Sequence, residues 1–291
     1  MRKPLQKSRI PEGKAFIIKE LVAPFFDVNW HFHSEYQLFV VLKGRGTRFI
    51  GDAIERFDEG DMVLTGPNLP HLWRNDQAYF ETNDPAGTHG IVIYFSDQFL
   101  NNSVFELEEF STISRILKDS SVGISINGKT RNQAENLMKS LLNKEGTSAI
   151  IGLLELLDFL AKSSDTRHIS SLTYVNSHKE SESDRMSLVY ELVMENLGNR
   201  VTLKDAAELC NLSESAFSRF FKSRANQTFS KFLSSVRIHQ ACKLLQDEKM
   251  NISQICFECG FFTLSNFNKQ FKDQLGKTPR EYRNEYLIGF N

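Results

Sequence analysis

The strongest constraint on the fold is an internal repeat near the C-terminus. Ser215-Ala216-Phe217-Ser218-Arg219-Phe220-Phe221-Lys222 aligns with Ser265-Asn266-Phe267-Asn268-Lys269-Gln270-Phe271-Lys272, fifty residues later. The preceding stretches align at an offset of forty-nine: Leu203, Ala206, Ala207 and Cys210 with Ile252, Ile255, Cys256 and Cys259. The two turns therefore differ by one residue. A duplication of this size marks one supersecondary unit used twice. Each copy reads as helix, tight turn, helix. Ser213 and Thr263 are cap candidates for the second helix of each copy. Ala207 and Cys256 are small enough for close helix approach, and Gly260 suits a turn with positive φ. A long helix over Ser230–Gln246 joins the copies.

Helical spacing separates two faces. Phe217, Phe221, Phe267 and Phe271 stand at i, i+4 and face a shared core. That leaves Ser215, Ser218, Arg219 and Lys222 outside in the first copy, and Ser265, Asn268, Lys269 and Lys272 in the second. These side-chain types read base edges and phosphates in the major groove of DNA. The plainer alternative is an all-α bundle whose basic residues are merely solvated. Charge adds a little: residues 186–291 hold 14 Lys and Arg against 11 Asp and Glu, while the whole chain is near neutral at −1.

From Ile252 to Arg283 further residues fall into a known pattern. Ile255-Cys256, Gly260-Phe261, Ser265, Phe267, Phe271-Lys272, Gly276-Lys277-Thr278-Pro279 and Tyr282-Arg283 resemble the C-terminal signature of AraC-type transcription regulators. The resemblance covers roughly Ser187–Tyr286. The chain departs from the family at Cys256, where Ala is usual, and at Ala225-Asn226, where Thr-Gly is usual. The resemblance implies two recognition helices in successive major-groove segments, about one helical turn or ~34 Å apart. Carried over by position, the base-reading residues are Ser215, Ser218 and Arg219, then Leu264, Ser265, Asn268 and Lys269. Leu264 offers only apolar contact, as to a thymine methyl. Lys222, Lys272 and Arg283 suit phosphate or structural roles.

The N-terminal part follows a different period. Ala15–Val22, Tyr36–Leu42, Thr47–Ile50, Met62–Thr65 and Gly90–Phe95 read as short strands punctuated by Gly and Asp, the pattern of a small barrel or sandwich. Val104–Lys118, Lys129–Asn143 and Ser148–Ala161 read as amphipathic helices. They pack on the barrel, or pair with their copy in a dimer. The run 176–185 is polar throughout and reads as linker. The expected division is 1–165 (barrel about 13–95, helices about 104–162), linker 166–185, and helical domain 186–291. The fold class is α+β.

Trp30-His31-Phe32-His33, Gly60-Asp61-Met62-Val63-Leu64, Gly66-Pro67-Asn68 and Pro70-His71-Leu72-Trp73 resemble the two motifs of cupin barrels. The resemblance implies His31, His33 and His71 at the pocket floor, with His31 and His33 alternating on one strand face and Gln37 following on it. Cupin enzymes bind metal through His, His, Glu and His. Here Gln37 holds the Glu position and Glu35 is out of register, so no metal and no cofactor is expected. Three neutral imidazoles remain able to hold Zn²⁺, Fe²⁺ or Mn²⁺. The favoured reading is an effector pocket of His31, His33, Gln37, Arg48, His71 and Trp73, with sugars among the ligands that the family's barrels take. Arg48 as an exposed strand residue and Trp73 as core are the structural alternatives.

Other chemistry is weakly signalled. The four Cys, at 210, 242, 256 and 259, suggest no disulfide framework. Cys256-Phe257-Glu258-Cys259 has the spacing of a redox or zinc half-site, but the repeat assigns both thiols to packing positions. No phosphate loop, dinucleotide glycine pattern or nucleophile elbow is found. No apolar run approaches the ~20 residues that span a bilayer, and no secretory signal is seen. The expectation is a cytoplasmic, non-enzymatic transcription regulator, an activator, that binds double-stranded DNA. It is modulated by a small effector such as a sugar, forms a homodimer and has RNA polymerase as a further candidate partner, with no membrane contact. The alternatives are an effector-independent regulator and a metal-dependent cupin enzyme fused to a DNA-binding domain.

Overall fold

The computed structural model describes residues 10–81, 84–96, 99, 102–172, 174, 183–246 and 250–288. The chain folds as two compact units, Met1–Asn176 and Ser177–Asn291.

The first unit begins with strands β1 (Phe16–Ala23), β2 (Tyr36–Lys43), β3 (Gly46–Ile50), β4 (Ala53–Phe57), β5 (Met62–Thr65) and β6 (His71–Asn75), a short helix α1 (Gln77–Glu81), and β7 (Thr88–Phe95). Helices α2 (Asn102–Phe105) and α3 (Ser111–Asp119), strand β8 (Ile124–Ile126), helices α4 (Gly128–Leu141) and α5 (Gly146–Ala161), and strand β9 (Thr166–His168) follow. Six strands form one antiparallel sheet in the order β1-β7-β2-β5-β8-β9, and β4-β3-β6 form a second.

Strand alternation assigns each side chain to a layer. Leu38, Val40, Met62, Leu64, Ile91 and Ile93 pack against Ile113, Met138, Leu153 and Leu157 of the helices. Their neighbours Phe39, Val41, Val63 and Val92 turn the other way and meet Ile50, Phe57 and Trp73 of the second sheet. A strand covered on both faces has no polar side. That is why β2 reads Tyr-Gln-Leu-Phe-Val-Val-Leu-Lys with little alternation.

The α+β class and the barrel followed by helices are borne out. The sheet extends further than the strand pattern suggested. Ile124–Ile126 is too short to carry a period, and Thr166–His168 falls at the start of the expected linker yet pairs with β8. Residues 173 and 175–182 of that linker lie outside the described ones.

The second unit is helical: α6 (Ser183–Glu195), α7 (Leu203–Leu209), α8 (Glu214–Ala225), α9 (Phe229–Leu244), α10 (Ile252–Glu258), α11 (Leu264–Leu275) and α12 (Pro279–Ile288). The repeat holds at the level of single hydrogen bonds. Thr202 and Asp205 form a capping box at α7, as Asn251 and Gln254 do at α10. Leu212 N–H donates to Ala207 C=O at 2.9 Å, and Phe261 N–H to Cys256 C=O at 3.0 Å. Asn211 and Gly260 both take positive φ, at 55° and 76°. So do Asn226 and Gly276 after the second helices, at 53° and 73°. Asn tolerates this conformation best after Gly, which explains why the departure at Asn226 is harmless. Phe262 is the extra residue in the second turn.

Candidate DNA interface and barrel site

Helix α8 is capped by Ser213, whose hydroxyl accepts from Ala216 N–H, and α11 by Thr263, which accepts from Asn266 N–H. Both cap predictions hold. The aromatic face of each helix is buried: Phe217 and Phe221 lie 5.7 Å apart, as do Phe267 and Phe271. Ser215, Arg219 and Lys222 are exposed on α8 and Ser218 is half-buried. On α11, Leu264, Ser265, Asn268, Lys269 and Lys272 are all exposed. Each helix thus presents one polar-to-basic face and buries the other. Asn266, in the first turn of α11, is exposed as well, and its amide can pair with adenine. The sequence argument passed over it because its counterpart, Ala216, has no polar group.

Arg283 is structural. It donates to Leu245 C=O at 3.1 Å and Met250 C=O at 2.8 Å, closing the loop before α10. Arg237 does the same before α7, donating to Leu197 C=O at 3.2 Å and Asn199 C=O at 2.6 Å. The two arginines are out of register in the repeat, so alignment does not reveal them as a pair. The thiols Cys242 and Cys259 are pushed up by burial to about 11 and about 12. They stay protonated at neutral pH, as packing residues do.

In the first unit His31 and His33 precede β2 in an extended stretch, and a bridge joins His31 to His71. They are therefore not two positions of a regular strand, because ladder pairing for β2 starts only at Tyr36. The three rings still converge, with centroids 4.5 Å apart for His31–His71, 5.0 Å for His33–His71 and 6.1 Å for His31–His33. Local backbone fixes each ring. The Nδ1 atoms of His31, His33 and His71 sit 2.8, 3.0 and 2.7 Å from the carbonyls of Asn29, Glu35 and Leu69. A carbonyl only accepts, so each Nδ1 carries a proton, and Nε2 is the nitrogen of each ring that is turned away from the local backbone.

Gln37 is also at this end, its Oε1 3.2 Å from His33 Nε2, a pair that bonds through a proton on Nε2 or through the amide NH2 once the group is turned. Tyr94, absent from the sequence-derived set, stands 5.2 Å from His33, and burial raises its phenol to about 12. It remains an O–H donor. The Glu35 carboxylate is held below its ordinary value by its hydrogen bond with His33. The imidazole nitrogens lie within 4.8 Å of one another. Three backbone-oriented imidazoles fit a late first-row divalent ion in ligand type.

Arg48 points elsewhere, as does the Trp73 N–H. Arg48 is buried and paired with Asp61, and donates to Glu55 at 2.7 Å. Trp73 Nε1–H donates to Asp61 at 3.2 Å, and its ring centroid lies 5.8 Å from that of His71. Glu55 also accepts two bonds from Arg167 of β9, at 2.9 and 3.0 Å. Burial pushes Asp61 up, opposed by the Arg48 guanidinium. Thus His31, His33, His71 and Gln37 come together with the Trp73 ring against His71, while Arg48 and the Trp73 N–H are bonded to Asp61.

Two families match this chain: a helix-turn-helix domain over residues 206–285 and a cupin domain over residues 20–79. The HTH-type transcriptional activator RhaS of Escherichia coli O81 (strain ED1a) is 21% identical over 285 residues, covering 94% of each chain. RhaS of Shigella sonnei (strain Ss046) is 20% identical with the same coverage. Among solved structures, a transcriptional regulator with an AraC-type DNA-binding domain from Chromobacterium violaceum is 25% identical with a TM-score of 0.35. It covers 37% of this chain and 96% of its own. ToxT from Vibrio cholerae O395 is 15% identical with a TM-score of 0.36, over 92% of this chain and 97% of its own. The resemblance read from the sequence is borne out: this chain joins a cupin domain at its N-terminus to a helix-turn-helix domain of the AraC type at its C-terminus.

Proposed function

We propose that this chain is a sequence-specific, DNA-binding transcription regulator modulated by a small effector at the imidazole end of its barrel. The observation that carries the reading is the pair of recognition helices. Both are capped alike, both bury a Phe-Phe face, and both leave a Ser, Asn, Lys or Arg face to solvent. Ser215, Ser218 and Arg219 read bases in the first unit, and Leu264, Ser265, Asn268 and Lys269 in the second. Lys222 and Lys272 contact phosphates. Transcription activation, as in the relatives' name, and contact with RNA polymerase are part of this proposal, as are the cytoplasm as its place of work and dimerisation through 104–161.

The effector binds through His31, His33, His71, Gln37 and Tyr94. Imidazole nitrogens and an amide beside a phenol donor suit a polyhydroxylated ligand such as a sugar. A second reading is favoured by the convergence of the three imidazoles, each with a ring nitrogen within 4.8 Å of the others. His31, His33 and His71 would hold a divalent metal, which supplies an open coordination position for an effector oxygen. With Gln37 in the carboxylate's place, no enzymatic step is assigned to it. Metal analysis of purified protein separates the readings: stoichiometric metal lost in a His71→Ala variant supports the second, and a metal-free barrel removes it.

The test of the main reading is footprinting on source DNA at moderate salt with competitor DNA. Discrete sites with two protected segments one turn apart are expected. Binding that is only salt-sensitive and indifferent to sequence would overturn it.

A further inference from the structure

Helix α9 belongs to both helix-turn-helix units. Its N-terminal half sets Phe229 and Phe232 against Phe221 of α8, at ring distances of 5.5 and 5.3 Å. Its C-terminal half carries Ile238 and Ala241 in the cluster that holds Phe267 and Phe271 of α11. The distance between the two recognition helices is thus set by one rod. Their relative rotation is a separate matter, because apolar packing is not directional and allows a helix to rock.

A polar link from α9 to α11 addresses that rotation. Ser234 of α9 donates to Gln270 Oε1 at 3.0 Å and accepts from Gln274 Nε2 at 3.1 Å. Gln270 and Gln274 stand one turn apart on α11, so the hydroxyl grips two successive turns of the recognition helix. All three side chains are half-buried, and Ser234 and Gln270 line a groove between the two helix-turn-helix units. Water can replace such bonds at small loss of stability, whereas their direction is not replaceable. The repeat supplies a contrast. The corresponding positions of α8 are Phe220 and Arg224, whose guanidinium lies 5.8 Å over the Phe220 ring. Only the second copy has two amides at these places.

We infer that Ser234 is a positioning residue that fixes the rotation of α11 relative to α8, and so selects the spacing between the two DNA segments the chain accepts. This rests on the regulator reading above. Ser234 touches no base; it acts through the angle at which Ser265, Asn268 and Lys269 arrive.

The experiment is in vitro selection of a two-segment duplex by the full chain from a random library. Gel-shift titrations then follow on that duplex and on versions with one base pair added or removed between the segments. The wild type should prefer one spacing. Ser234→Ala should lower that discrimination roughly three- to tenfold, the worth of a lost hydrogen bond, with less effect on affinity for the best site. Ser234→Thr keeps the hydroxyl and should keep the discrimination. The double variant Gln270→Leu, Gln274→Leu breaks the same link from α11 and should repeat the Ala result should Ser234→Ala fold poorly. An unchanged spacing profile in folded Ser234→Ala or in the folded double variant overturns the inference while leaving the regulator intact. A wild-type chain that selects no two-segment site overturns the regulator reading itself.

Discussion

Single side chains divide here into those that meet DNA and those that hold charge inside the barrel. Arg219 is the only long polar side chain among the three residues proposed to read bases in the first helix-turn-helix unit, since Ser215 and Ser218 reach little beyond the helix. A bidentate Arg–guanine contact is worth roughly 1–3 kcal/mol of discrimination. Arg219→Ala should therefore lose about ten- to hundredfold in specific affinity in gel-shift titration, with the protection of the first segment fading first. A full footprint from that variant would refute the assignment. Inside the barrel, Glu55 is placed between two arginines. Burial alone raises its pKa, but hydrogen bonds from Arg167 and Arg48 outweigh that and hold it below the ordinary 4.5. A depressed carboxylate contributes stability that is present above the ordinary value and lost as the pH falls through the folded value. The first unit should thus weaken in acid below about pH 4.5, and Glu55→Gln should flatten that part of the profile. The protein's two tryptophans, Trp30 and Trp73, both lie in this unit. Fluorescence-monitored urea unfolding across pH reads it without interference from the helical one. Parallel profiles for the two proteins would exclude the role.

At the scale of elements, the turns decide whether each helix pair closes. Gly260 takes a φ of 76°, and a Cβ there would lie 2.3 Å from Leu197 C=O and 2.9 Å from the Arg237 guanidinium. Gly260→Ala meets strained backbone and a carbonyl that cannot retreat without breaking the Arg237 clamp. A loss of roughly 2–3 kcal/mol is expected, seen as faster amide exchange in α10 and α11 with the first unit unaffected. Protection equal to wild type would contradict this account. Asn211, at the same point of the first copy with a φ of 55°, marks that position as a left-handed one in both copies. Much at this scale was legible beforehand. The caps at Ser213 and Thr263, the glycine turn and the Phe pairs are local features, with partners no more than five residues away. Strands β8 and β9 were not legible, because three residues hold too little pattern to register and β9 is polar.

Across the whole molecule, two units with separate cores are joined through a segment that begins after β9. Among the described residues no helix is long and apolar enough to cross a membrane. Helix α5 buries Leu153, Leu156, Leu157 and Leu160 against the sheet, yet leaves Ile151 56% exposed. If α5 pairs with its copy, as proposed, Ile151 lies in that contact. Ile151→Asp should then convert a dimer to a monomer at micromolar concentration in ultracentrifugation without changing the thermal unfolding of the barrel. A wild-type monomer would remove the dimer, and a dimeric variant would move the contact elsewhere.

The sequence alone determined the repeat, the two-part α+β organisation, the exposed faces of α8 and α11, and the trio of histidines. All of these rest on spacing or on short motifs, which a linear string preserves. Tertiary structure decided what long-range pairing controls. It bonded Arg48 and the Trp73 indole N–H to Asp61, joined Arg48 to Glu55, and closed that network with Arg167, 112 residues from Glu55. It tied Ser234 to α11 and set Arg237 and Arg283 on loops outside the repeat's register. Such partners leave no period in the chain. A hydrogen bond or ion pair between distant residues depends on where two elements meet, and only the packed core settles that.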